Sequence, residues 1–231
     1  MFTVINGRKI SAVLAVLILA QLAVTVYICA DDFALSKTSP VDFTVVIDAG
    51  HGGIDGGVVG ADGTKESDLN LQYANTLGKE FETAGFNVVY TRRGANGLYG
   101  LPTKGFKRRD MLARKQVIDK ASPNLVISVH MNKFSDSCRS GAQVFFQKGN
   151  DEGEMFAQSV QACLNDLSGN THSALSGDFF VCREVSCPSI IAECGFVSNA
   201  AELALLKTDD YRNKICRGIF KGAMLYLCKK D

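Results

Sequence analysis

The sequence predicts one α/β domain, a twisted, mostly parallel or mixed sheet flanked by helices on both faces, preceded by an N-terminal transmembrane or signal segment. Short buried apolar runs alternate with amphipathic stretches along most of the chain, the order that builds such a sheet. An almost unbroken apolar run fills residues 10–30 and then gives way to mixed composition. With 231 residues and 46% hydrophobic content, the chain can bury one core of about 200 residues beside a short appendage. The formal net charge is +1, so nothing in the balance asks for nucleic acid or another strongly charged partner.

The appendage, ISAVLAVLILAQLAVTVYICA, follows Arg8 and Lys9 and precedes Asp31 and Asp32. It is long enough to span a bilayer, and its basic flank places residues 1–9 in the cytoplasm and everything after Asp31 outside. A cleaved signal peptide is the competing reading. The run is longer than a typical signal core, and Ile28 with Ala30 makes a poor small-x-small cleavage site, which favours a retained membrane anchor. Residues 31–42 then read as a linker and 43–231 as the working domain, extracytoplasmic on either reading.

Within that domain FTVVIDAG reads as a buried strand. SDLNLQYANTLGKEFETAG follows as a helix with Leu69, Tyr73, Leu77 and Phe81 on one face and Gly85 as its stop. Next come a strand FNVVYTR, a Gly-rich loop from Gly94 to Gly105, a helix KRRDMLARKQVIDKA and a strand NLVISVHMN. SGAQVFF is a further strand, Glu152 to Leu167 a helix, FFVC a short strand and SIIAECGF a buried one. A closing helix runs from Asp209 to Cys228, with Ile215, Ile219, Ala223 and Leu227 on its inner face.

Of eight cysteines, one lies in the apolar appendage and the rest fall between Cys138 and Cys228. That odd, one-sided set is not a disulfide framework. Cys182 and Cys187 flank a turn and could form one local bridge, while Cys163 and Cys216 read as small buried hydrophobes.

Polar residues at strand ends carry the chemistry. His51 follows the first strand, His130 ends LVISVH and Glu193 ends SIIAE, so three strand ends could deliver these groups to one crevice. Glu66 opens the first helix at the same rim, although acids are also common there for dipole reasons. Two imidazoles and a carboxylate suit zinc and leave a fourth position for water, whose proton a second carboxylate can take. A strand-end histidine also serves as a hydrogen-bonded structural residue. Two in equivalent positions, with a glutamate emerging from an apolar strand, weigh toward function. His172 reads as a surface residue, and Cys194 points back into the core by strand alternation. KGFKRRDMLARK, rich in basic residues, could attract carboxylates or an anionic polymer or stand as a solvated helix face.

In order and spacing, IDAGHGG, KESDLN, SVHMN and IAECGF resemble the four signature blocks of the zinc-dependent N-acetylmuramoyl-L-alanine amidases of the type 3 family. The resemblance covers Thr44 to Leu227. It implies one Zn2+ held by His51, Glu66 and His130, Glu193 as general base and acid, and peptidoglycan as substrate. Thr91, Arg92, Arg114 and Asn132 are weaker matches, and Asp48 would support the site from behind. Gly50, Gly52 and Gly53 would then keep space around a metal that receives a bulky glycan-peptide.

The single anchor, the small size, the lack of wall-binding repeats and the inserted GLYGLPTKGFKRRD resemble the germination-specific branch. That branch strips peptides from spore cortex so that muramic lactam can form, and it implies an activating lipoprotein or other protein partner. Met131 and the high cysteine content depart from its pattern. The alternatives are a vegetative autolysin of the same chemistry, a catalytically inactive peptidoglycan-binding or activator protein, and a zinc peptidase cutting within the stem peptide.

Overall fold

The computed structural model describes residues 43–169 and 171–230. The proposed cytoplasmic stretch, apolar segment and linker at 1–42 lie outside the described residues. No helix among the described residues is long and apolar enough to cross a membrane.

The strands are β1 (Thr44–Ala49), β2 (Asn87–Tyr90), β3 (Leu125–Asn132), β4 (Gln143–Gln147), β5 (Leu175–Gly177) and β6 (Ser189–Phe196). The helices are α1 (Glu66–Thr83), α2 (Phe106–Ala121), α3 (Asp151–Ser168), α4 (Phe180–Arg183), α5 (Ala200–Leu206) and α6 (Asp209–Lys230). Helix ends follow local chemistry. Acids Glu66 and Asp68 meet the positive end of α1, and Gly85, at φ 88°, closes it. The Asn150 side chain accepts from the Gly153 N–H at 2.8 Å to start α3, and Asn199 does the same for Glu202 in α5.

One six-stranded sheet has the order β2-β1-β3-β6-β4-β5. β2, β1, β3 and β6 are mutually parallel, β4 runs antiparallel to β6, and β5 pairs parallel with β4. The sheet is therefore mixed, with a parallel half that carries the strand ends singled out above.

Alternation along the strands sorts residues between the two faces. Val45, Ile47 and Ala49, with Leu125, Ile127, Val129, Ile190, Ala192 and Cys194, join the larger core beneath α1, α3 and α6. Val46 and Val126 face the other way, into a smaller cluster with Ile118 of α2 and Val181 of α4. By the same alternation Asp48, Ser128, His130 and Glu193 belong to this second face. Cross-strand register sets Asp48 beside Ser128 and His130 beside Glu193.

Three elements differ from the sequence reading. FFVC is not a strand: Phe179 is extended, and Phe180–Arg183 then makes one helical turn, α4. A four-residue apolar run fits either a strand or a helical turn, and here the turn is what buries Val181 and Cys182. The edge strand falls earlier, at β5, in a segment that reads as loop, because three residues hold too little alternation to show. The short helix α5 also escaped the pattern. The inner face of α6 is as expected, with Ile215, Ile219 and Ala223 buried and Leu227 packed against the same core. Cys163, Cys194 and Cys216 are buried, as their pattern suggests. Cys182 and Cys187 are free thiols, so the local bridge is not formed: Cys182 is sealed inside α4 while Cys187 stays half-buried on the loop beyond it.

Helices α3 and α6 meet at glycines. A Cβ on Gly222 would sit 2.4 Å from the Val160 Cα and 2.9 Å from the Ser159 carbonyl oxygen. Gly222→Ala is therefore expected to destabilise the domain by about 1–3 kcal/mol through overpacking, although alanine is favoured in an isolated helix by about 1 kcal/mol. Urea unfolding decides the sign, and a raised midpoint would mean that these helices separate freely.

Candidate active site

The exit of β1 is held by two buried arginines. Arg114, from α2, lies 1% exposed against the equally buried Asp48, its Nη1 at 2.5 Å from Oδ1. The same Nη1 donates to the Ala49 carbonyl at 2.6 Å, Nη2 to the His51 carbonyl, and Nε to Asp110 Oδ2 at 2.7 Å. Arg92 donates to the carbonyls of Ala49, Gly50 and Ser67, each at 2.9 Å. Asp48 also accepts from Thr91 Oγ1 at 2.6 Å and Ser128 Oγ at 2.5 Å. Burial alone would raise the Asp48 pKa, but the Arg114 guanidinium and the two hydroxyls outweigh it and bring the group down to about 2.

This clamp presents His51 at φ 60°, an unusual value for a residue with a side chain. Gly50, next to it, has no room for a side chain: a Cβ there would lie 2.2 Å from the His130 ring. The two imidazoles meet edge to face, with centroids 5.1 Å apart and planes at 79°. Glu66, 3% exposed at the first turn of α1, points one oxygen between them. Its Oε1 lies 2.9 Å from His130 Nδ1 and 3.3 Å from His51 Nε2. Its Oε2 accepts from the Val58 N–H at 2.8 Å, and Asn70 Nδ2 donates to Oε1 at 3.1 Å.

Each of these three residues offers a ligand atom within 4.8 Å of the others, a group that could hold a metal ion. Their charges are mutually tuned. Burial would raise the Glu66 pKa, yet the two histidines hold it well below the usual carboxylate range. Burial would lower that of His51, but hydrogen bonds and charge from Glu66 and Asp55 raise it to about 9. A metal ion entering this nest takes the place of protons.

Glu193 stands beside His130 in register, and its Oε2, buried, has no hydrogen-bond partner. Burial pushes its pKa up to about 7, and repulsion from Glu66 adds to the rise against the pull of His130 and His51. A cleft of about 250 Å³ opens over this face, with His51, His130, Lys107, Met111, Phe179 and Phe180 among its lining. It lies where an open α/β sheet gathers function, outside the carboxyl ends of its parallel strands.

The profile of the N-acetylmuramoyl-L-alanine amidase family matches residues 45–224. The chain belongs to that family. A germination-specific N-acetylmuramoyl-L-alanine amidase of Bacillus subtilis is 33% identical over 192 residues, covering 80% of each chain. The solved structure of the CwlD amidase from Clostridioides difficile, in complex with the GerS lipoprotein, superposes with a TM-score of 0.78 at 31% identity, covering 81% of this chain and 100% of that one. The catalytic domain of CwlV, an N-acetylmuramoyl-L-alanine amidase from Bacillus (Paenibacillus) polymyxa, gives 0.71 at 28% identity, covering 80% and 98%. The chain is thus a peptidoglycan amidase by family.

The amidase fold brings together His51, Glu66, His130 and Glu193, with Asp48, Thr91, Arg92 and Arg114 in one network behind them. The Asn132 side-chain oxygen accepts from the Lys133 N–H at 2.8 Å. His172 has its Nε2 2.9 Å from the Ser140 carbonyl oxygen. Sequence reasoning missed Ser128, Asp110 and Asp55. Ser128 was accessible through alternation, two residues before His130. Asp110 and Asp55 sit four residues from Arg114 and His51, a spacing that acquires meaning only once the loop geometry is known.

Removing Arg114 should leave Asp48 buried and unpaired. Arg114→Leu is expected to cost about 3–5 kcal/mol in urea unfolding. Because the folded pKa of Asp48 is depressed from 3.8 to about 2, the stability it contributes is present above pH 4 and lost as pH falls toward 2. That loss, about 2 kcal/mol by linkage, should be absent from Asp48→Asn. Unfolding curves between pH 6 and pH 2 check it, and an unchanged acid slope in that variant would refute the assignment.

Proposed function

We propose that this amidase is zinc-dependent and hydrolyses the amide between the lactyl group of N-acetylmuramic acid and the L-alanine of the stem peptide, in the maturation of spore cortex. The observation that carries the reading is the convergence of His51, Glu66 and His130 beside the unpartnered carboxylate oxygen of Glu193. Two imidazoles and one carboxylate fit a zinc ion that keeps one position open. When bound, zinc supplies a Lewis acid for the scissile carbonyl and acidifies a neighbouring water.

The chain's own side chains do the remaining work. Glu193 accepts the proton of the attacking water and hands it to the departing alanine nitrogen, roles for which a pKa near 7 is suited. Glu66 stays ionised because His130 and His51 offset the cost of its burial, and the Val58 N–H holds its other oxygen so that Oε1 faces the two rings. Asp48 and Arg114 act through the backbone, fixing the carbonyls of Ala49 and His51 so that the loop carrying the ring keeps its path. Met111, Phe179 and Phe180 give the cleft apolar walls that seat the substrate and shed water.

The spore role is supported by the likeness to the germination-specific relative and to CwlD, each covered over most of its length. CwlD was solved in complex with a lipoprotein, and on our own reading a protein partner that activates the enzyme is expected here as well. The substrate lies outside the cytoplasm, in keeping with an anchor at residues 10–30 that leaves the catalytic domain extracytoplasmic.

The test is mass spectrometry of products from purified peptidoglycan. Stem peptides with a free L-alanine amine should appear with zinc and vanish on chelation. Glu193→Gln should lower kcat/KM by about 10²–10⁴-fold. Cleavage within the stem peptide, or full activity in the variant, would sink the reading.

A further inference from the structure

One carboxylate at this centre belongs to none of the roles above. After β1 the chain folds back at once: Gly52 and Asp55 form an isolated antiparallel bridge, with Gly52 N–H donating to the Asp55 carbonyl at 2.9 Å and Asp55 N–H returning at 3.2 Å. The fold-back lays the Asp55 side chain against the far edge of the His51 ring. Asp55 Oδ2 lies 3.0 Å from Nδ1, while Nε2 of the same ring faces Glu66 at 3.3 Å. The other carboxylate oxygen, Oδ1, is 3.3 Å from Lys107 Nζ in the first turn of α2.

The two histidines are oriented by different means. The His130 ring is wedged against the backbone at Gly50, so packing fixes its plane. The His51 side chain is 25% exposed, much as that of His130 is at 21%, but it stands on a loop at φ 60°, and the neighbour at its Nδ1 edge is the Asp55 carboxylate. A carboxylate that accepts the Nδ1 proton does what packing does not. It sets the plane of the ring, selects the tautomer whose Nε2 lone pair is free, and makes that nitrogen a better donor to a cation. A pure loop staple through Lys107 is a weaker account, because that side chain is 68% exposed and such an ion pair contributes little.

We infer that Asp55 is a positioning residue of the metal centre, holding His51 through Nδ1 so that Nε2 is presented to zinc. The inference rests on the zinc reading above. It concerns a residue that touches neither metal nor substrate, so its signature is metal affinity and not activity alone.

The experiment uses the full chain, native and as Asp55→Ala and Asp55→Asn. Zinc dissociation constants are measured by competition with a chromophoric chelator, and unfolding midpoints are measured on the zinc-free proteins. Asp55→Ala should bind zinc about 10–100-fold more weakly with its zinc-free midpoint unchanged. Asp55→Asn, whose amide oxygen still accepts the Nδ1 proton, should recover most of the loss. Native affinity in Asp55→Ala, or a loss that only tracks a less stable zinc-free fold, would overturn the role of Asp55. A native chain that takes up no zinc, or does so equally after His51→Ala and His130→Ala, would instead overturn the zinc reading and this inference with it.

Discussion

The guanidinium of Arg114 and the carboxylate of Asp48 are both 1% exposed, and the geometry of the candidate centre hangs on their contact. Burying two charges costs several kcal/mol for each ion unless their remaining hydrogen-bonding capacity is used. Here it is used on the backbone. Between them Arg114 and Arg92 take up the carbonyls of Ala49, Gly50 and His51, in a segment where β1 has ended and no helix has begun. The left-handed backbone at His51 costs about 1–2 kcal/mol in isolation. It persists because donors on both sides of the loop determine the path of the chain.

The sheet separates stability from chemistry by parity. Residues of one parity along β1, β3 and β6 form the larger apolar core, and those of the other place Asp48, Ser128 and His130 under the cleft, with Glu193 beside His130 in register. A polar cluster of this size inside the larger core would leave groups without partners. On the thinner face, α2 supplies a matching cation, and the short α4 leaves room for a ligand. The same division accounts for Cys194, adjacent to Glu193 in sequence yet on the opposite side of the sheet.

Much of this was legible in the sequence, for identifiable reasons. The parallel strands are long enough for apolar continuity to show, and α1 and α6 repeat their buried residues over several turns. His51, His130 and Glu193 were visible because a titratable group that ends an apolar strand is conspicuous, and Arg114 and Asp48 entered through family resemblance. What stayed hidden depended on distant partners. The edge strand β5 exists through its pairing with β4, and α4 through the burial of Val181.

The seven described cysteines are all free, and burial pushes the thiol of Cys187 up to about 11, that of Cys182 to about 12, and those of Cys194 and Cys216 higher still. A thiol that stays protonated is a poor nucleophile, so these four neither attack a disulfide nor oxidise readily in the native state. The domain consequently reaches its native state without waiting for sulfur chemistry, whose shuffling takes seconds to hours. No bond between the described cysteines is part of this fold, so none has to form for the sheet to assemble.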